Sequence, residues 1–230
     1  MTKSEASVGR VYNLIREKAE NFEFKPEAQI NEVALAKSLG TSRTPVREAL
    51  NRLVAEGFLT FQSRKGFFCR PLGQHQILAL YEARIAVECE AMRLAIHKAT
   101  DEELAAVVSV LRAFEPEYAQ STDPSRLLEL DELFHSEITK LSKNPELERM
   151  LANLNGRIRF VRLIDLKNMY GNRGALREDA QISNHKKILT LFAERDEQAA
   201  TSAMRKHIER RREETTEAVA RAFAEIYSDT

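Results

Sequence analysis

The stretch GTSRTPVREALNRLVAEGFL, residues 40–59, decides how the first third of this chain is read. Val46, Leu50, Leu53 and Val54 recur at helical spacing, and Gly57 closes the run. Pro45 fits a first helical turn, where its missing N–H has no bond to make, and Ser42 or Thr44 is placed to cap it. With the apolar series turned to a core, Arg43, Thr44, Arg47, Glu48 and Asn51 are left facing outward near the N-terminal end.

Upstream, Val11, Leu14, Ile15 and Ala19 predict a helix over about 11–20, interrupted around Pro26. Val33, Leu35, Ala36 and Leu39 predict a second helix over 32–39, with Gly40 suited to its C-terminal cap. Downstream, FLTFQ and GFFCR flank Ser63, Arg64, Lys65 and Gly66, which predicts a hairpin with a basic tip. Three helices, a short glycine-containing turn and a two-stranded wing make a winged helix-turn-helix. An arginine at the exposed end of its third helix offers a planar fork to guanine or a charge-assisted bond to phosphate. Arg64 and Lys65 at the wing tip reach a neighbouring phosphate or the minor groove.

Composition agrees with a folded protein that meets an anion at one end. The chain has 230 residues, 43% hydrophobic and 30% charged, which excludes a disordered chain of low hydrophobicity. Its net charge of zero conceals an asymmetry, because residues 1–72 hold 12 Lys+Arg against 8 Asp+Glu and the remainder holds 23 against 27. No apolar run approaches the ~18 residues of a membrane span. The N-terminal MTKSEASVGRVYNL lacks the apolar core of a secretory signal, so a cytoplasmic protein without membrane contact is expected. Cys69 and Cys89 have no framework spacing and are expected to be reduced, buried thiols.

Pro71 and Gly73 mark a boundary, expected to divide a DNA-binding domain (1–72) from a second domain (73–230). Beyond it nearly everything has helical periodicity, with helices expected at about 74–99, 101–120, 124–141, 145–169, 177–193 and 196–226. GNRG at 171–174 is the clearest break. The fold class is therefore mainly α: a winged helix-turn-helix followed by an antiparallel bundle of about six helices.

Within the bundle, Asp131 and His135 stand at i, i+4 on the stripe of Leu127, Phe134, Ile138 and Leu141. His185 falls among Ile182, Ile188, Leu189 and Phe192, and His207 among Ala203, Met204 and Ile208. A tight turn near Arg195 joins the two helices, with the histidines roughly 15 and 18 Å from it at ~1.5 Å per residue, so an antiparallel pair brings them level. Three imidazoles and a carboxylate in a dry bundle suit a divalent transition ion, zinc first, with nickel or manganese as alternatives. The competing reading, core histidines that are merely hydrogen-bonded, stays open on sequence geometry alone. Arg84 and Glu88 share an inward face with Ile77, Tyr81, Met92 and Ala95; they either pair with each other or leave Arg84 to clamp an anion. Arg162 is a weaker candidate for that role, and His75 and His97 are expected at the surface.

LAKSLGTSRTPVREALNRLVAEGFL, followed by Gly66, resembles the DNA-binding domain of the GntR family of bacterial transcription regulators over residues 10–70. That resemblance implies that Arg43, Thr44, Arg47 and Gly66 touch double-stranded operator DNA; Asn51, Arg64 and Lys65 lie on the same face. Val33 stands where many members carry an arginine or another polar residue, so a base contact made from there elsewhere is not expected here. Residues 74–226 resemble the FCD effector domain, which implies metal ligation by Asp131, His135, His185 and His207 and a small carboxylate effector beside the metal, held by Arg84 or Arg162. Six helices rather than seven favour its VanR-like branch over the acyl-CoA-binding FadR-like one. Asn184 departs from the acidic residue usual before the histidine.

The expected function is thus a homodimeric, effector-responsive transcriptional regulator, read as a repressor, and not an enzyme. Its rivals are a metal-dependent hydrolase fused to a DNA-binding domain, using Glu132 or Glu137 as base, and an acyl-CoA-responsive regulator without metal. A DNA-packaging protein is disfavoured by the zero net charge.

Overall fold

The computed structural model describes residues 3–172 and 178–228. Among them lie ten helices and one two-stranded sheet, in two compact units, the first built on residues up to Gln76 and the second on Ile77–Ala222.

In the first unit, α1 (Lys3–Glu20), α2 (Glu32–Ser38) and α3 (Arg43–Ala55) precede the hairpin of β1 (Leu59–Gln62) and β2 (Gly66–Cys69). The α2–α3 turn follows from glycine. Gly40 takes φ +62°, its N–H bonds Lys37 O and the next N–H, of Thr41, bonds Ala36 O, which satisfies the last carbonyls of α2. Gly57 closes α3 in the same way at φ +78°. Ser42 is the N-cap of α3 but makes no side-chain cap bond, and Thr44 lies inside the helix, so neither serves as the expected side-chain cap. The core joins Val11, Tyr12, Ile15 and Ala19 of α1 to Val46, Leu50 and Leu53 of α3 and to Phe58, Leu59 and Phe67 of the hairpin. Leu14 and Val33, both counted with the apolar faces, are exposed.

The wing is anchored from upstream, which the sequence did not signal. Ile30 N–H bonds Phe67 O and Cys69 N–H bonds Ala28 O, so the segment before α2 lies along β2. Burial pushes the Cys69 thiol up to about 11, consistent with an inert core residue.

The second unit comprises α4 (Gln74–Lys98), α5 (Asp101–Ala113), α6 (Glu115–Gln120), α7 (Pro124–Lys140), α8 (Pro145–Asn172), α9 (Glu178–Ala193) and α10 (Glu197–Ser228), with the first residues of α4 and the last of α10 outside its bounds. That is seven helices among the described residues, not about six. The expected helix over 101–120 is broken at Phe114 because Pro116 has no N–H for Arg112 O and its ring crowds that carbonyl. Of the GNRG break expected at 171–174, Gly171 and Asn172 are the last residues of α8, and Arg173 and Gly174 lie outside the described residues. Asp123 caps α7 through Ser125 N–H, and Asn144 accepts from Glu146 N–H at the start of α8. The α9–α10 turn closes on Arg195 at φ +56°, with Asp196 N–H bonded to Leu191 O. That short turn lays the two histidine-bearing helices side by side.

Candidate nucleic-acid interface and metal centre

On α3 the apolar face is buried, and Arg43, Thr44, Arg47, Glu48 and Asn51 are exposed as one patch that encloses a shallow concavity with Glu32. Arg64 and Lys65 are exposed at the wing tip and have no acidic partner among the described residues. Gly66 takes φ +92°, a conformation that side-chain-bearing residues rarely adopt, so the tip depends on it. Arg52 turns away from the patch, pairing with Glu56 at 2.9 Å and lying 3.9 Å over the Tyr12 ring. Sequence reasoning missed Glu32, which sits beneath both Arg43 and Arg47: its carboxylate is 3.4 Å from Arg47 Nη1 and 3.9 Å from Arg43 Nη2.

In the helical unit, α7, α9 and α10 bring Asp131, His135, His185 and His207 together, all buried, with one ligand atom of each within 4.8 Å of the others. His185 Nε2 is 3.2 Å from His207 Nε2 and 3.5 Å from Asp131 Oδ1, and His135 Nε2 is 3.7 Å from Asp131 Oδ2. Bonds of ~2.0–2.1 Å to a tetrahedral ion set its donors roughly 3.3–3.4 Å apart; the three separations above lie close to that, while the widest spacing in the set, up to 4.8 Å, has to close around an ion. His135 Nε2 is buried and has no hydrogen-bond partner, while its Nδ1 meets Glu88. An ionised Glu88 holds the proton on Nδ1 and leaves Nε2 as a lone-pair donor toward the cluster. Phe134 stacks on His185 with ring centres 4.0 Å apart and limits that ring's rotation.

The surrounding charges keep the carboxylates ionised. Burial alone raises the Asp131 carboxyl, but the Arg162 guanidinium foremost, with Arg84 adding less, holds it well below the usual range; His135 and His185 add to this only when protonated. For Glu88, burial is again outweighed, here by Arg84 and His135, and the group is lowered. Arg84 Nε donates to Glu88, so the i, i+4 pair is present; its Nη2 is buried without a hydrogen-bond partner. Arg162 Nη2 donates to Asp131 Oδ2, and Arg162 lines a small cavity with Asp131, Tyr81, Tyr118, Leu127 and Asp165. Arg84 is not part of that wall. The link from Glu88 to His135 was missed, although Tyr81, Arg84 and Glu88 at i, i+3, i+7 of one helix was a readable signal. His75 and His97 are exposed, and His97 pairs with Glu197.

Both halves match known protein families. The gntR family of bacterial regulatory proteins matches residues 8–69, and the FCD domain matches residues 79–210. The Nta operon transcriptional regulator of Aminobacter aminovorans is 41% identical over 212 residues, covering 91% of this chain and 95% of that one. This chain belongs to the gntR family and carries an FCD domain. The HTH-type transcriptional regulator YdhC of Bacillus subtilis (strain 168) is 31% identical over 196 residues, 85% of each chain. The solved structure of E. coli McbR/YncC superposes with a TM-score of 0.69 over 100% of this chain and 99% of that one; at 23% identity it speaks for the fold alone. Transcriptional regulation is the role that the family and the relatives' names share, and no described helix is long and apolar enough to cross a membrane.

Proposed function

We propose that this member of the family is a cytoplasmic homodimeric repressor whose operator binding responds to a small carboxylate bound beside a divalent metal. Residues 1–72 read DNA through Arg43, Thr44, Arg47 and Asn51 on α3 and through Arg64, Lys65 and Gly66 at the wing. Residues 73–230 hold the ion at Asp131, His135, His185 and His207 and the effector at Arg162, with Arg84 adding its charge from behind Glu88. Zinc suits three imidazoles and one carboxylate best; nickel also favours imidazole, and manganese prefers more oxygen. Bound there, the ion supplies a Lewis-acidic position for one carboxylate oxygen.

The observation that carries the reading is the double use of Asp131. Oδ1 faces His185 in the donor set, while Oδ2 faces His135 and also accepts from Arg162 at the cavity wall, so one buried carboxylate links the donor set to the guanidinium that an anion in the cavity would meet. To act on transcription the effector must bind one arrangement of the dimer's two winged domains better than another; a coupling of ~1–3 kcal/mol changes operator affinity about 5–150-fold. The VanR-like branch rests on these donors, since seven helices remove the helix count as its support. A hydrolase is disfavoured because Glu132 is held by Arg159 and Arg162, and Glu137 by Lys140 at 2.6 Å. The test is a thermal-shift screen of small mono- and dicarboxylates with and without chelator, followed by operator titration with each hit. A hit that binds metal-stripped protein equally well, or that leaves operator affinity unchanged, refutes the coupling.

A further inference from the structure

The DNA-binding patch of α3 contains an acid that a surface built only to attract phosphate would not hold. Asn31 Oδ1 accepts from Val33 and Ala34 N–H at 3.0 Å each and fixes the first turn of α2. That places Glu32 against the foot of α3. Its side chain is 14% exposed, whereas Arg43 and Arg47 above it are 62% and 54% exposed. Glu32 and Glu48 balance Arg43 and Arg47, so the patch carries no net charge. The wing-tip cations Arg64 and Lys65 carry no such counter-charge among the described residues.

Arg47 Nη1 donates to the Glu32 carboxylate at 3.4 Å, and Arg43 Nη2 stands 3.9 Å from it as an ion pair without a hydrogen bond, so each guanidinium faces Glu32 through one terminal nitrogen. A guanidinium has five N–H donors in a planar fork, so the far edge of each remains available to a guanine O6/N7 pair. Arg47 is also steadied by the Phe67 ring, 5.9 Å from its charge. An arginine held from behind is aimed at a base edge and less free to follow phosphates, and the acid beneath it repels a backbone that offers nothing else.

We propose that Glu32 is a positioning residue that determines specificity: it orients Arg43 and Arg47 for base edges and suppresses their use as general phosphate contacts. The proposal rests on the DNA-binding reading of α3. Its signature is opposite effects on two kinds of DNA, which loss of structure does not produce.

The experiment uses the full-length protein and two labelled duplexes, one selected by the wild type from a random library and one scrambled, titrated by fluorescence anisotropy across a salt series. Glu32→Gln should bind the scrambled duplex about two- to fivefold more tightly at low salt, with its log–log salt slope steeper by about one unit. It should bind the selected duplex more weakly, so that the ratio of the two affinities falls at least about tenfold. Glu32→Asp keeps the charge but shortens the reach; it should leave the scrambled duplex near wild type and still weaken the selected one. An unchanged ratio in Glu32→Gln overturns the proposal, because both affinities then answer only to charge. So does an equal fall in ratio for Glu48→Gln, which removes the same charge without releasing the arginines. A wild type that shows no preference between the duplexes overturns the DNA-binding reading itself, and the proposal with it.

Discussion

Glu88 accepts from both Arg84 and His135 inside the bundle, so replacing it should separate folding from metal affinity. In Glu88→Ala the Arg84 guanidinium, 2% exposed, loses its acidic partner one turn along α4. Removing one member of a buried ion pair costs about 3–5 kcal/mol, a large part of a domain's typical ~5–15 kcal/mol. Replacing both members, as in Arg84→Met with Glu88→Leu, leaves no orphaned charge, and stability should return to within about 1–2 kcal/mol of wild type. Metal affinity should not return. Without Glu88 nothing holds the proton on His135 Nδ1 or the ring in register, and loss of such an outer carboxylate weakens metal binding about 10–100-fold. The measurements are urea unfolding of metal-stripped protein and zinc competition against a chromogenic chelator. A double variant that regains stability and also binds zinc as tightly as wild type would refute the reasoning, because Glu88 would then serve only to balance Arg84.

Arg47→Ala should lose about 1–3 kcal/mol of binding to a selected duplex, and unchanged affinity in anisotropy titrations would remove α3 as the reader. Lys65→Ala should weaken selected and scrambled duplexes alike and lower the salt slope by about one unit. Protein purified without chelator should carry about one divalent ion per chain, and His207→Ala should lose most of it, with a lower melting temperature because an ion bound only by the folded state stabilises that state. Full occupancy of that variant by elemental analysis would sink the assignment. Arg162→Ala should abolish the thermal shift produced by a carboxylate hit while leaving much of the zinc bound; an undiminished shift would place the effector elsewhere.

Much of this was legible in the chain because it depends on local spacing. Val46, Leu50 and Leu53 bury one side of α3 and therefore expose Arg43, Arg47 and Asn51 on the other, whatever the rest of the protein does. Asp131 and His135 share a face by helical period alone, and the short turn at Arg195 was enough to bring His185 and His207 level. Tertiary structure decided which partners meet across elements. Glu32 lies fifteen residues before Arg47, and Glu88 forty-seven before His135, separations that carry no periodic signal. The Arg84 side chain was left between two roles by its sequence position; packing set its Nε on Glu88 and kept it out of the wall that Arg162 shares with Asp131. The reason is physical: a helix's own repeat dictates which side of it is apolar, but the charge facing a buried polar group comes from whichever neighbouring helix the core packing presses against it.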